Sequence, residues 1–178
     1  MADSRAAGGV ELVLGGVRSG KSGYAERRAL GLVGIDRWVY VATGRAGDDE
    51  MAARIAHHRA HRDVRWQTVE ESRGLAGVLA EYDDPRCCVL VDCLTLWLSH
   101  CLATDCWVDE RRALLAGLGA CRSRVLLVSN EVGSGIVPLG ELSRRFADEA
   151  GRLHQDLARL STRVTLVVAG LPLMLKEA

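Results

Sequence analysis

The sequence predicts a single α/β domain whose mostly parallel sheet is flanked by helices. Three observations predict it. Short runs rich in Val and Leu alternate with longer amphipathic or alanine-rich stretches along the chain. Most of these runs are near-continuously apolar, as parallel strands buried on both faces require. A length of 178 residues, with no internal repeat, low-complexity linker or composition shift, fits one core.

The strands fall at residues 11–15, 38–43, 87–92, 124–129 and 163–169. Helical stretches lie between them at 21–32, 48–62, 72–81, 94–102, 109–122 and 139–160. Strand–helix alternation of this kind builds right-handed crossovers. Residues 1–9 read as a flexible extension ahead of a domain spanning 10–178. They carry Asp3 and Arg5 and no apolar core of a signal peptide. No apolar run approaches the roughly 20 residues of a spanning helix.

Composition excludes some classes. Lys plus Arg and Asp plus Glu both number 23, so the chain is neutral. Neutrality argues against a general binder of nucleic acid or membrane surface, and 4% aromatic residues argue against base-stacking platforms. Six cysteines (Cys87, Cys88, Cys93, Cys101, Cys106 and Cys121) include no C-x-x-C pair. They read as small buried apolar residues with reduced thiols, in a cytoplasmic protein.

The first motif is a phosphate loop. The strand at 11–15 runs into Gly15-Gly16-Val17-Arg18-Ser19-Gly20-Lys21-Ser22, which fits G-x-x-x-x-G-K-[ST] between a strand and a helix. Glycines let successive N–H groups curl toward phosphate oxygens, and the helix N-terminus adds its positive dipole end. Lys21 suits the β- and γ-phosphates, and the Ser22 hydroxyl suits Mg²⁺. Lys21 is one of only two lysines, the other being Lys176.

Two further strand ends carry polar groups. The run at 87–92 closes on Asp92, which is either a magnesium-holding acid or the N-cap of the next helix. The segment Ser129-Asn130-Glu131 opens a glycine-rich loop at the same expected ligand edge.

The segment 48–62 holds three of the five histidines, His57, His58 and His61, among Arg54, Arg59 and Arg62. Acids occupy its first turn and arginines its last, complementing a helix dipole. Met51, Ile55 and His58 would share a core-facing side. Three readings of His57 and His61 stand on spacing alone: a metal pair, solvated surface residues, or a nucleophilic imidazole that attacks phosphorus.

These motifs together resemble a known family. The phosphate loop, Tyr40-Val41-Ala42-Thr43, the D-D-E-M-A-A-R-I-A-H-H run at 48–58 and S-N-E-V-G-S-G-I-V-P at 129–138 are similar to the bifunctional adenosylcobinamide kinase/adenosylcobinamide-phosphate guanylyltransferases of cobalamin biosynthesis. The run at 167–176 also resembles that family's end. The likeness covers nearly the whole chain from Glu11 onward.

The resemblance implies a RecA-like P-loop fold and a two-step enzyme. A nucleoside triphosphate, ATP or GTP, phosphorylates the aminopropanol hydroxyl of adenosylcobinamide. GTP then transfers GMP to the resulting adenosylcobinamide phosphate through a guanylylated histidine, here His57. It also implies nucleotide contacts from Thr43, Gly44, Arg59, Ala60, His61, Arg62, Glu70 and Asp92, Mg²⁺ at Ser22 and Asp92, and a homotrimer. Family members often carry Ser where this chain has Gly44, and some carry Glu at Asp92. Two other classes fit the phosphate loop alone: a small-metabolite or nucleotide kinase without the guanylyl step, and a non-catalytic nucleotide-binding switch.

Overall fold

The computed structural model of the chain describes residues 8–44 and 62–177. In chain order the elements are β1 (Val10–Gly15), α1 (Lys21–Leu30), β2 (Arg37–Ala42), β3 (Trp66–Glu70), α2 (Leu75–Glu81), β4 (Cys87–Asp92), α3 (Leu94–Ala103), α4 (Trp107–Ala120), β5 (Arg124–Asn130), α5 (Glu141–Leu160), β6 (Arg163–Val168) and β7 (Leu171–Glu177). They form one seven-stranded sheet in the order β3-β2-β4-β5-β1-β6-β7. All neighbours pair in parallel except β7, which runs antiparallel to β6. The carboxyl ends of β1, β2, β4 and β5 therefore meet along one edge, in the registers Gly15 with Asn130 and Ala42 with Asp92.

The apolar strand runs are buried on both faces, as the sequence predicts. Leu12, Val89, Val91, Val125 and Leu127 point into a core shared with α2, α3, α4 and α5. Their neighbours Val13, Cys88, Leu90, Leu126 and Val128 point to the opposite face, where Ala25 and Ala29 of α1 cover them. Small residues on α1 let it lie close on the sheet. Its far end is pinned by Arg28, whose guanidinium gives two hydrogen bonds, 3.0 and 2.8 Å, to the buried Glu11 carboxylate of β1. Such a fork-to-carboxylate pair has fixed geometry, so it orients as well as binds.

Trp97 of α3 is the largest fully buried side chain. Its indole donates to Arg73 O at 2.6 Å and meets Trp107 edge-on at 5.4 Å. Trp107 in turn donates to Glu149 Oε2 at 2.8 Å, tying α4 to α5. All six cysteines are free and buried, as expected of small apolar residues. Burial raises the Cys88 and Cys101 thiols to about 12. Among the described residues no helix is long and apolar enough to cross a membrane.

Two strands escape the sequence reading. β3 is a five-residue edge strand with one buried residue, Trp66, so it lacks a continuous apolar signature. β7 contains Pro172, which argues against a strand, but it too is an edge and only one of its sides is hydrogen-bonded. The strand predicted over 163–169 stops at Val168, because Ala169 and Gly170 turn with φ of 51° and 79°. Helix α2 begins at Leu75 instead of residue 72, because Glu71 accepts the N–H groups of Arg73 and Gly74 in a preceding turn. The helix expected over 48–62 lies outside the described residues except for Arg62, which sits in a bend before β3. Of the expected extension, Gly8 and Gly9 are described. Gly9 is buried and its carbonyl accepts from Val125 N–H at 3.0 Å.

His154 of α5 shares a 2.7 Å hydrogen bond with the buried Ser129 hydroxyl of β5. Burial holds its pKa below the ordinary histidine value, against the opposing pull of Glu131. The unfolded chain takes up a proton near its ordinary value of about 6.5, and the folded chain resists it. Stability present above that pH is therefore lost as pH falls through the lower folded value. The thermal midpoint of the wild type should drop more steeply below about pH 6.5 than that of His154→Gln. Separately, Trp97→Ala should cost about 3–5 kcal/mol in denaturant titrations, the range for emptying a large core site.

Candidate active site

The loop between β1 and α1 is shaped by positions that admit no side chain. A Cβ on Gly15 would lie 2.6 Å from the Val167 carbonyl oxygen and 2.4 Å from Ser19 Oγ. Gly20, the N-cap of α1, has φ of 91°, where a side chain is strained. The loop is held by three backbone bonds. Ser19 N–H reaches Gly16 O at 3.2 Å, Gly170 N–H reaches Ser19 O at 2.8 Å, and Glu131 N–H reaches Gly15 O at 3.0 Å.

Several groups in this loop are arranged for an anion. No side chain caps the start of α1, so its first-turn amides face outward from the helix end. Ser19 Oγ is buried without a protein partner. Lys21 is only 9% exposed, and its ammonium folds back to Gly16 O at 3.3 Å. An ammonium carries three donors, so that bond leaves capacity for phosphate oxygens. Gly16, Val17 and Arg18 are exposed around the mouth, and space over Gly16 is open. The loop thus fits a polyphosphate.

Asp92 ends β4 on the same edge, separated from the loop strand by β5. The N-cap of α3 is Cys93, so the helix-capping reading of Asp92 does not hold. Its Oδ2 accepts instead from the Tyr40 hydroxyl at 2.8 Å. A carboxylate has room for further partners. Ser22, half-buried on the first turn of α1, supplies a second oxygen. The described residues contain no group of three or more His, Cys, Asp or Glu arranged for a metal. A magnesium ion fits this donor set, because it is ordinarily held by one or two protein oxygens together with phosphates and water.

Thr43 is buried and its hydroxyl is fully engaged. It donates to Cys93 O at 2.7 Å and accepts from Cys93 N–H at 2.8 Å, clasping the ends of β2 and β4. Gly44 follows it, half-buried, at the edge. Asn130 donates to Thr95 Oγ1 at 2.8 Å, and that hydroxyl lies 3.2 Å from Cys93 Sγ. Glu131 closes a tight turn by accepting from the Gly133 and Ser134 amides. Burial raises its carboxyl, but the Ser134 and Gly133 hydrogen bonds outweigh this and hold it below the ordinary value. Glu70 is exposed at the end of β3, in register with Ala42.

A polar cluster at this end escapes the sequence reading except for Arg62 and Asp92. The Arg62 guanidinium lies 3.4 Å from the centroid of the Tyr40 ring and donates to Thr68 Oγ1 at 2.7 Å. Burial, then the neighbouring Asp92 carboxylate, raises the Tyr40 hydroxyl pKa, so it stays a donor. Glu26 of α1 is also raised, mainly by burial; Arg62 pulls it down and Asp92 pushes it up. Tyr40 and Asp92 stand 52 residues apart, so no local spacing reveals their bond. His57, Arg59, Ala60 and His61 lie outside the described residues.

Two hollows open beside the edge. One, of about 320 Å³, lies between α3 and α5 against Leu102, Leu142 and Phe146. The other, of about 200 Å³, shares Ser99 and Ala103 with it and reaches Thr43.

Comparison with known proteins matches this geometry to a lineage. The chain is similar in fold to the solved ATPase domain of a helicase, with a TM-score of 0.50 at 15% identity, covering 89% of this chain and 68% of that one. It is similarly like the flagellar accessory protein FlaH of Methanocaldococcus jannaschii, with a TM-score of 0.51 at 13% identity, covering 96% and 79%. At such identities these likenesses speak to the fold alone. Among curated proteins, the bifunctional adenosylcobalamin biosynthesis protein CobP of Pseudomonas aeruginosa is 53% identical over 171 residues, covering 93% of this chain and 96% of the relative. The corresponding CobU proteins of Escherichia coli and Salmonella typhimurium are 40% and 38% identical over 182 residues, each covering 93% of this chain and 98% of the relative. The family model described as cobinamide kinase / cobinamide phosphate guanyltransferase, CobU, matches residues 11–175, and the chain belongs to that family.

Proposed function

We propose that this protein phosphorylates adenosylcobinamide on its aminopropanol hydroxyl and then transfers GMP from GTP to the product, giving adenosylcobinamide-GDP and pyrophosphate. The observation that carries the reading is the glycine-shaped loop with its orphaned Ser19 hydroxyl and buried Lys21, on one sheet edge with Asp92, in a chain of this family. ATP or GTP serves as phosphate donor.

In the kinase step the chain's task is positioning and charge neutralisation, since phosphoryl transfer asks for little covalent help. The loop amides from Gly15 to Ser22 and the N-terminus of α1 cradle the phosphates. Lys21 bridges the β- and γ-phosphates, and Arg18 covers the mouth. Bound Mg²⁺, held through Ser22 and Asp92, neutralises charge on the triphosphate. The acceptor oxygen forms its bond to the γ-phosphorus as the β–γ bridge breaks.

In the guanylyl step a neutral His57 nitrogen attacks the α-phosphorus of GTP. The nitrogen–phosphorus bond forms, the α–β bridge breaks, and pyrophosphate leaves into the cationic loop. A phosphate oxygen of adenosylcobinamide phosphate then displaces His57, restoring the imidazole. Two steps let the small donor product depart before the bulky acceptor attacks. Thr43, Gly44, Arg59, Ala60, His61, Arg62 and Glu70 surround the nucleotide. The engaged Thr43 hydroxyl leaves backbone groups as its means of contact. The hollow that reaches Thr43 continues this edge and leaves room for the acceptor. The protein acts in the cytoplasm as a homotrimer; the exposed Leu171, Leu173 and Leu175 of β7 offer apolar surface for a subunit contact.

With Mg²⁺ and GTP labelled at the α-phosphate, the protein should acquire an acid-labile, base-stable adduct that is absent in His57→Ala. Label at the γ-phosphate should give none. A wild type that takes up no α-label but still phosphorylates the acceptor would mark a kinase without the guanylyl step. One that does neither would mark a nucleotide switch. Lys21→Ala should lower kinase turnover by about a hundredfold or more, as loss of a preorganised cation at developing charge does. Full kinase activity in that variant would overturn the loop assignment.

A further inference from the structure

Tyr40 is 3% exposed, and a phenol that deep needs a partner for its hydroxyl. It finds one across the sheet, in Asp92 Oδ2 of the adjacent strand β4, at 2.8 Å. Its ring is engaged separately. Trp66 of β3 packs edge-on against it at 5.8 Å and 85°. The Arg62 guanidinium lies over it at 3.4 Å, while Nη1 of that arginine bonds Thr68 Oγ1 at 2.7 Å. Arg62 Nε is buried and has no protein partner, so the ring face and Thr68 carry the hold on this guanidinium. One side chain therefore touches both the acid at the end of β4 and the residue with which the chain re-enters the sheet after the histidine-bearing segment.

We propose that Tyr40 is a positioning residue for both half-reactions. Its hydroxyl sets the Asp92 carboxylate for Mg²⁺, and its ring seats Arg62, which fixes one end of the segment carrying His57. The inference rests on the function proposed above. The two jobs belong to different parts of the side chain, so substitutions separate them. Tyr40→Phe keeps the ring and removes the hydroxyl. Tyr40→Leu removes both. Thr68→Val leaves Tyr40 intact and removes the other tether of Arg62.

Removing a partner that orients a metal-holding carboxylate weakens metal binding by about tenfold or more. Mn²⁺ binding to protein loaded with a non-hydrolysable GTP analogue, followed by electron paramagnetic resonance, should therefore weaken about tenfold in Tyr40→Phe. The thermal midpoint should stay within a few degrees of wild type. The Mg²⁺ concentration for half-maximal kinase turnover should rise in parallel, and saturating Mg²⁺ should restore the maximal rate. Tyr40→Leu should show the same metal deficit plus a loss of α-label incorporation at His57, about tenfold, that saturating Mg²⁺ does not rescue. If Tyr40→Leu does not fold, Thr68→Val carries this arm: it should slow α-labelling while binding Mn²⁺ as wild type does.

Wild-type Mn²⁺ affinity in Tyr40→Phe would overturn the role of the hydroxyl. Wild-type labelling at saturating Mg²⁺ in folded Tyr40→Leu, or in Thr68→Val where Tyr40→Leu does not fold, would overturn the role of the ring. A wild-type protein that incorporates no α-label would refute the guanylyl reading instead, and the Mn²⁺ titration would still decide the role of the hydroxyl.

Discussion

The site depends on β1 being hydrogen-bonded along both of its edges, to β5 on one side and β6 on the other. A strand so placed cannot slip without breaking two ladders, and a slip of one residue would turn its apolar set to the wrong face. Its last residue, Gly15, is thereby fixed beside Asn130 and against Val167, and the phosphate loop departs from an immobile point. The other end of the loop is fixed by α1, whose Arg28 grips Glu11 on the same strand. Strand and helix are thus locked to each other on either side of the loop, which leaves the loop few ways to relax. Preorganisation of this kind lets backbone amides act on charge without first being reordered.

The polar groups at the carboxyl edge are mostly partnered with one another across strands. Thr43 clasps Cys93, Tyr40 holds Asp92, and Asn130 holds Thr95. Such cross-links orient side chains and satisfy buried donors that would otherwise be costly. Ser19 stands apart from this pattern, because its hydroxyl is buried with no protein partner. The contrast separates groups that build the edge from a group that waits for something to arrive there.

Much of the fold was legible because buried parallel strands write themselves as unbroken apolar runs. β1, β4 and β5 are of this kind, and the strand–loop–helix motif at Gly15 to Ser22 is local enough to be read from adjacent residues. β3 and β7 were not legible, since edge strands bury little and tolerate residues such as Pro172. Asp92 was visible as a strand-end acid, yet its partner was not. The bond to Tyr40 arises only when β2 and β4 become neighbours, which no spacing along the chain encodes. Likewise the sequence pointed to Thr43 as a nucleotide contact without showing that its hydroxyl is spent on Cys93. The nucleophile assignment to His57 came from family likeness, because helical spacing alone left three chemistries open.

The bond from Gly170 N–H to Ser19 O joins the phosphate loop to the turn between the last two strands. The loop belongs to the first part of the chain to be synthesised, and its backbone partner belongs almost to the last. During translation the loop therefore emerges well before the contact that completes its cradle. The same holds for β6, which supplies the second ladder of β1. A ribosome-bound chain that ends short of this turn carries the whole phosphate-binding motif without the brace that shapes it. Nucleotide capture and release of the finished chain are in this way tied to the same late event.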